Sequence, residues 1–318
     1  MTILIVTNMF PTAEDPSYGC FVKSQVDSLA RQGLSVDLIF ANGKASRLNY
    51  LRGAWQVFWR SLRTRYDIVH AHYGLSGPLA RCQIKSPVVV SFCGSDVMNR
   101  VQGKVSRFIS RLVDLCIVKS SRLQQALGAR NVRVLPNGLD LSLFHPQDSS
   151  PARKTLGLSA ESRYILFVGD PARKEKRYDV AQQTFHRVRE RLNVPTELVV
   201  LHGQPHREVP LYMNACDVLL LTSDYEGSPN AVKEAMACNM PIVSADVGDV
   251  GEILLGTRNC YVCPRDPSAL AQRVLTVLKD GGRTDGRDRV LHLSLEKIAG
   301  ELISIYQEVI NRKDGRFR

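Results

Sequence analysis

Eleven short runs of mainly branched aliphatic residues punctuate this chain of 318 residues, and a longer amphipathic stretch separates most of them from the next. In the first half they fall at 3–7, 36–40, 68–71, 88–92, 115–118 and 132–135. In the second they fall at 164–168, 198–201, 218–222, 241–244 and 260–262. A strand exposed on one face alternates apolar and polar residues, whereas an unbroken apolar run marks a strand covered on both faces, as in a parallel sheet between helices. The rhythm predicts an α/β fold of two doubly wound, Rossmann-like domains in tandem. Proline and glycine interrupt it at 136–154, which sets the expected domains at 1–145 and 146–294. A final amphipathic stretch within 295–318 is expected to pack back across the join.

No run reaches the roughly 18–20 apolar residues that a membrane-spanning helix requires. The amino terminus reads as a first buried strand rather than a signal peptide, and eight cysteines without a secretory signal fit reduced thiols in a cytosol. Charge divides unevenly. Residues 1–145 carry 18 basic and 8 acidic side chains, whereas 146–318 carry 24 and 23. Nearly all of the net charge of +11 therefore sits in the first half, as expected of a partner that is nucleic acid, an anionic membrane or an acidic substrate. No nucleic-acid-binding motif accompanies the charge, so nucleic acid is not expected.

Ligands of doubly wound sheets bind beyond the carboxyl ends of the strands, so the loops after the apolar runs carry the chemistry. After 218–222 come Glu226, a Gly227-Ser228-Pro229 turn, and a helix expected to start at Asn230 and to contain Glu234. A helix start offers free N–H groups and a positive dipole end, suited to phosphate. Glu234 is placed to hold vicinal ribose hydroxyls and Glu226 to hold a sugar beside the phosphate. The same residues also read as a helix-capping loop with two solvated acids, and spacing alone leaves both readings open.

The two glutamates with seven residues between them resemble the signature of the family 4 glycosyltransferases, retaining enzymes of the GT-B fold. The segment 134–140 is similar to that family's interdomain linker, 209–217 to the helix and turn before a strand of its second domain, and 67–72 to a strand end facing its cleft. The resemblance implies two Rossmann-like domains facing a central cleft. It implies transfer of a hexose from a UDP- or GDP-linked donor to a glycan or lipid-linked acceptor, in cell-surface polysaccharide or glycoconjugate synthesis, without a metal or other cofactor. A sugar-nucleotide epimerase of the same architecture and a degenerate, non-catalytic glycan- or membrane-binding module are the alternatives.

Carried over residue by residue, the resemblance assigns Arg173 and Lys176 to the donor diphosphate, with Lys174 or Arg177 as substitutes if the register slips. It places Glu226 at the reacting sugar, with Glu234, Gly227, Ser228, Pro229, Asn230 and Gly19 around the donor. His72, Cys93 and Asp96 fall to the acceptor or sugar pocket. Three departures stand out: Gly169-Asp170 where the family has Gly-Arg, a single Gly19 where it has a glycine-rich pair, and Cys93 in place of a histidine. Cys93 reads as a small residue shaping the pocket or, less simply, as a covalent nucleophile. His70 and His72 lack a third metal ligand at convincing spacing, and Cys260-Cys263 is a lone pair, so no metal is expected.

Residues 44–66 contain six basic side chains, no acid and both tryptophans. At helical pitch Leu48, Leu51, Trp55, Phe58, Trp59 and Leu62 share one stripe. Such a stripe either packs on the sheet or lies in the headgroup layer of an anionic membrane. The second reading gives a cytoplasmic protein held peripherally on the inner face of the cytoplasmic membrane.

Overall fold

The computed structural model describes residues 1–315, the side chains through 313, and resolves into two compact units. The first contains Met1–Gly138 together with the helix Leu295–Gly315, and the second is Leu139–Ser294. Each apolar run became a strand, with ends within two residues of those expected. In the first unit β1 (Thr2–Thr7), β2 (Ser35–Phe40), β3 (Ile68–His72), β4 (Val88–Ser91), β5 (Leu115–Val118) and β6 (Val132–Val134) form one sheet in the order β2-β1-β3-β4-β5-β6. In the second unit β7 (Arg163–Val168), β8 (Thr196–Leu201), β9 (Val218–Leu221), β10 (Ile242–Ala245) and β11 (Cys260–Cys263) form another, in the order β11-β10-β9-β7-β8. All pairings are parallel.

The division between units falls a few residues before the expected 145. Leu139 donates its N–H to the Leu293 carbonyl at 2.8 Å and bridges Ser294, whereas Gly138 lies against Leu295 and Ile298. The last helix belongs to the first unit. Ser28 Oγ of the Cys20–Arg31 helix and Nε2 of Gln32, which caps it, donate to the carbonyls of Leu295 and Glu296, and the Tyr306 hydroxyl reaches His70. Residues 316–318, which complete the expected terminal stretch, lie outside the described residues.

Crossover handedness sorts the helices of the first unit. The connection from β1 to β2 moves one way along the sheet, and those from β2 to β3 and from β4 to β5 move the other way. Right-handed crossovers therefore put Cys20–Arg31 on one face and both Leu48–Arg63 and Arg100–Ile109 on the opposite face. Between those two helices lies the segment 74–80, where Leu79 would meet a side chain at Gly53 and Ile109 one at Gly77.

The Leu48–Arg63 helix turns a narrow face of Gly53, Val57 and Ser61 to the fold. The whole stripe from Leu48 to Leu62 stands 40–70% exposed, so it is not core. Trp55, Gln56, Trp59, Arg60 and Arg63 line an open groove of about 390 Å³ on it. The Arg100–Ile109 helix repeats the arrangement, burying Gly103, Ser106 and Ile109 and exposing Val101, Val105 and Phe108, with Met98 and Leu112 exposed just beyond its ends. Among the described residues no helix is long and apolar enough to cross a membrane.

Candidate functional site

In the second unit the loops after β7 and β9 are sewn together at the carboxyl ends of the strands. Thr222 Oγ1 donates to the carbonyls of Lys176 and Arg177 at 2.9 and 3.0 Å, and the Asp224 N–H donates to the Glu175 carbonyl. The result sets Lys176 Nζ 2.7 Å from Glu226 Oε1, with Ser223 Oγ donating to the same oxygen at 2.8 Å. Both charged side chains are mostly buried. Lys176 and Glu226, fifty residues apart in sequence, thus form one cluster, beside the Gly227–Pro229 turn and the start of the Asn230–Ala237 helix. Ser228 is buried in that turn. Gly248, at φ +56°, follows β10 and comes so close that a β-carbon on it would meet the Gly227 carbonyl oxygen at 2.9 Å.

The other cations of the loop separate from this cluster. Arg173 pairs with Glu175 at 2.6 Å on the exposed side, so its guanidinium is engaged within its own turn rather than with Glu226. Arg177 binds Asp179 and Asp224, which makes it a brace for the loop, and among the described residues Lys174 has no ion pair. Arg265 donates to the Ser223 carbonyl at 2.9 Å and steadies the same turn from β11's side of the sheet.

Glu234 is buried, and His206 Nε2 donates to its Oε1 at 2.8 Å. Burial alone would lower the His206 pKa, but the bond to Glu234 and the charges of Glu234 and Asp140 outweigh it, and the value lies above the usual one. His206 has no counterpart in the sequence reading, because nothing near it in the chain announces a partner twenty-eight residues on. Fixed at one oxygen, Glu234 keeps its other oxygen as an acceptor.

In the first unit Gly19, at φ +73°, precedes the Cys20–Arg31 helix, and a β-carbon there would sit 2.6 Å from the Met9 carbonyl carbon. Only glycine tolerates both the conformation and the contact. The two strand histidines differ. His70 is bonded on both ring nitrogens, at 2.6 Å to the Tyr306 hydroxyl and 2.8 Å to Ser91 Oγ, and ties the last helix to the sheet. His72, fully buried, has no partner on either nitrogen among the described residues. Asp96 is not open to a ligand. It accepts the N–H groups of Cys93, Gly94 and Gly74 at 2.8–3.0 Å and shapes the turn after β4. Burial and the neighbouring Asp96 carboxylate push the Cys93 thiol up to about 12, so it stays protonated at neutral pH, against the nucleophile reading. Among the described residues no group of three His, Cys, Asp or Glu side chains is arranged to hold a metal ion.

Burial, with the Lys119 charge, lowers the His72 pKa to about 3, and burial also holds His70 well below its ordinary 6.5. An unfolded chain would take up protons at these histidines near pH 6.5 while the folded one would not. Stability is then complete above about pH 6.5 and is lost as the pH falls towards 3. Thermal unfolding across that window should show the decline, and His72→Asn should flatten it; a pH-independent melting temperature would contradict the buried neutral state.

A Glycosyltransferase Family 4 model matches residues 9–143, and a model of group 1 glycosyl transferases matches residues 192–280. The chain belongs to the family 4 glycosyltransferases. This glycosyltransferase is 25% identical to a putative teichuronic acid biosynthesis glycosyltransferase of Bacillus subtilis, over 86% of its own length and 88% of the relative's. It is 26% identical to a D-inositol 3-phosphate glycosyltransferase of Xylanimonas cellulosilytica, over 79% and 74%. Its fold matches sucrose-phosphate synthase of Thermosynechococcus elongatus with a TM-score of 0.81 at 19% identity, covering 98% and 100% of the two chains. HepE of Anabaena, solved in complex with UDP, matches with a TM-score of 0.70 at 16% identity, covering 97% and 100%. The fold is GT-B.

Proposed function

We propose that this glycosyltransferase moves a hexose from a UDP- or GDP-linked donor to a glycan or lipid-linked acceptor with retention at the anomeric carbon. The observation that carries the donor half is the joining of Lys176, Glu226 and the start of the Asn230–Ala237 helix into one cluster, with Glu234 one helical turn on. The diphosphate lies against the helix start and the Lys176 ammonium, where negative charge gathers as the nucleotide departs. Glu226 accepts from hydroxyls of the reacting sugar, and Glu234 from the ribose. In the transfer the bond from the anomeric carbon to the phosphate oxygen breaks and a bond to the acceptor oxygen forms on the same face. The acceptor's proton passes to the departing phosphate. Lys176 and the helix start supply the positive charge that the leaving group needs, so the scheme calls for no metal and activity should persist in EDTA. HepE, solved with UDP on the same fold, agrees with a nucleoside diphosphate as ligand, and the Bacillus subtilis relative agrees with a surface polysaccharide as the setting.

The acceptor half is assigned to the basic first unit, held at an anionic membrane by the exposed faces of Leu48–Arg63 and Arg100–Ile109. A thermal-shift panel of nucleoside diphosphates and their sugars tests the donor assignment, because a ligand of the native state raises apparent stability. No response to any of them would remove the reading. Glu234→Ala should weaken donor binding roughly 10–100-fold, the scale of a hydrogen bond to a charged group. His206→Ala should weaken it less, by loosening Glu234 without removing its free oxygen. Calorimetry showing both variants unchanged would return Glu234 to a structural role.

A further inference from the structure

Three neighbouring strands of the first unit, β3, β4 and β5, end at groups that the donor chemistry does not use: His72, Cys93 and Lys119. Lys119 directly follows β5 and is 3% exposed. Among the described residues its ammonium has neither a hydrogen-bond nor an ion-pair partner. The carboxylate whose charge it feels, Asp96, already accepts three backbone N–H groups of the loops after β3 and β4. Lys119 thus brings to these strand ends a positive charge that the Asp96 carboxylate offsets at a distance but no hydrogen bond fixes. The unmet demand beside it is His72, a fully buried imidazole with both nitrogens free.

We infer that Lys119 and His72 form a subsite for an anionic sugar, one bearing a carboxylate or a phosphate, on the acceptor side of the reaction. The register supports the pairing. His72 aligns with Ser91 on β4, and Ser91 aligns with Ile117 on β5. Paired residues of a parallel sheet face the same way and side chains alternate, so His72, Cys93 and Lys119 point to one face. With strands about 4.8 Å apart and Lys119 two residues, about 6.6 Å, beyond the position that aligns with His72, the two stand roughly 12 Å apart at the backbone, with Cys93 at the end of the strand between them. The anion meets the Lys119 ammonium, while the neutral imidazole of His72 donates to one ring oxygen or hydroxyl and accepts from another. A neutral sugar satisfies the imidazole but leaves the ammonium as it was, so the subsite selects for charge.

This inference rests on the reading of the first unit as the acceptor domain, and the test separates the two. The full chain is titrated calorimetrically with glucose, glucuronate and glucose 6-phosphate, in parallel with UDP and GDP. The expected result is binding of one anionic sugar roughly 10–100-fold tighter than glucose, the scale of a hydrogen bond to a charged group. The glucuronate and phosphate arms say which anion it is. Lys119→Met removes the charge but keeps the apolar stem, and should erase the preference while nucleoside diphosphate binding in the second unit persists. Lys119→Arg should retain much of it. Equal affinity for glucose and both anions, or an anion preference that survives Lys119→Met, overturns the subsite. If nucleoside diphosphate binding and transfer stand in either case, the glycosyltransferase reading is untouched. A Lys119→Met protein that fails to fold leaves the wild-type comparison of neutral and anionic sugars to decide.

Discussion

Lys176→Met should slow transfer roughly 10²–10³-fold, the cost of losing one fixed electrostatic contact to a developing anion. The ammonium lies 2.7 Å from Glu226 in a mostly buried position, where charge interactions are screened less than at the surface. Its loss should therefore appear in kcat more than in KM, because the charge it meets grows only as the nucleotide leaves. Arg173→Met should do far less. Its guanidinium sits in an exposed pair with Glu175, an arrangement of small energetic consequence. Glu226→Gln should also reduce turnover, and removing Lys176 and Glu226 together should cost less than the two separate losses combined, since the residues share a bond. Steady-state kinetics of the single and double variants decides. A Lys176→Met enzyme of normal turnover, or a loss at Arg173 equal to that at Lys176, would place the diphosphate elsewhere on the loop.

The contrast between these two cations shows what sequence can and cannot carry. Strands were legible because burial on both faces leaves unbroken apolar runs, and the helix starting at Asn230 was legible because its turn residues precede it. The resemblance supplied the chemistry of the loop at 169–179 but not its register. Asp170 in place of the family's arginine left Lys174 and Arg177 as substitutes for Arg173 and Lys176, and it is the bond from the Lys176 ammonium to Glu226 that singles out Lys176. Lys119 and His206 went unseen for the same reason. Their meaning lies in partners, or in the want of them, that folding brings from other strands. Asp96 shows the reverse. The resemblance gave it to the acceptor or sugar pocket, and its carboxylate is occupied by backbone N–H groups of its own turn and of the loop after β3.

Periodicity likewise found the stripe of Leu48–Arg63 but left open which side faces the sheet. A stripe of large apolar residues ordinarily packs inward. Here Gly53 and Ser61 let the helix approach closely on its other side, with Leu79 and Ala41 filling the space that a β-carbon on Gly53 would need. Small residues thus took the buried face, and the large ones were left outside. The same substitution of small for large at Gly103 and Ser106 explains the exposed Val101, Val105 and Phe108 of the second helix.

Vesicles containing anionic lipid should therefore capture this protein, and vesicles of zwitterionic lipid alone should not. Two helices on one face of one sheet expose large apolar side chains, and each carries its own cations. Arg47, Arg52, Arg60 and Arg63 flank the first, Arg100, Lys104, Arg107 and Arg111 the second, and no acid falls between 97 and 113 or between 44 and 66. Tryptophan seats well at the headgroup boundary, and each basic residue near an anionic leaflet contributes about 1 kcal/mol. Reversing three charges on or just after either helix, as in Arg60→Glu, Arg63→Glu and Arg65→Glu or in Arg100→Glu, Lys104→Glu and Arg107→Glu, should weaken vesicle binding roughly a hundredfold or more. Reversing both sets should abolish it. Trp55→Ser with Trp59→Ser should weaken it without altering its dependence on salt, whereas the charge variants should lose that dependence, because exposed charges are screened within about 8–10 Å. Nucleoside diphosphate binding, a property of the second unit, should be unchanged throughout. Flotation that leaves the unmodified protein unbound at low salt would mean that the exposed apolar face serves something other than a bilayer. Flotation that depends on one helix alone would mean that the two do not share a membrane plane.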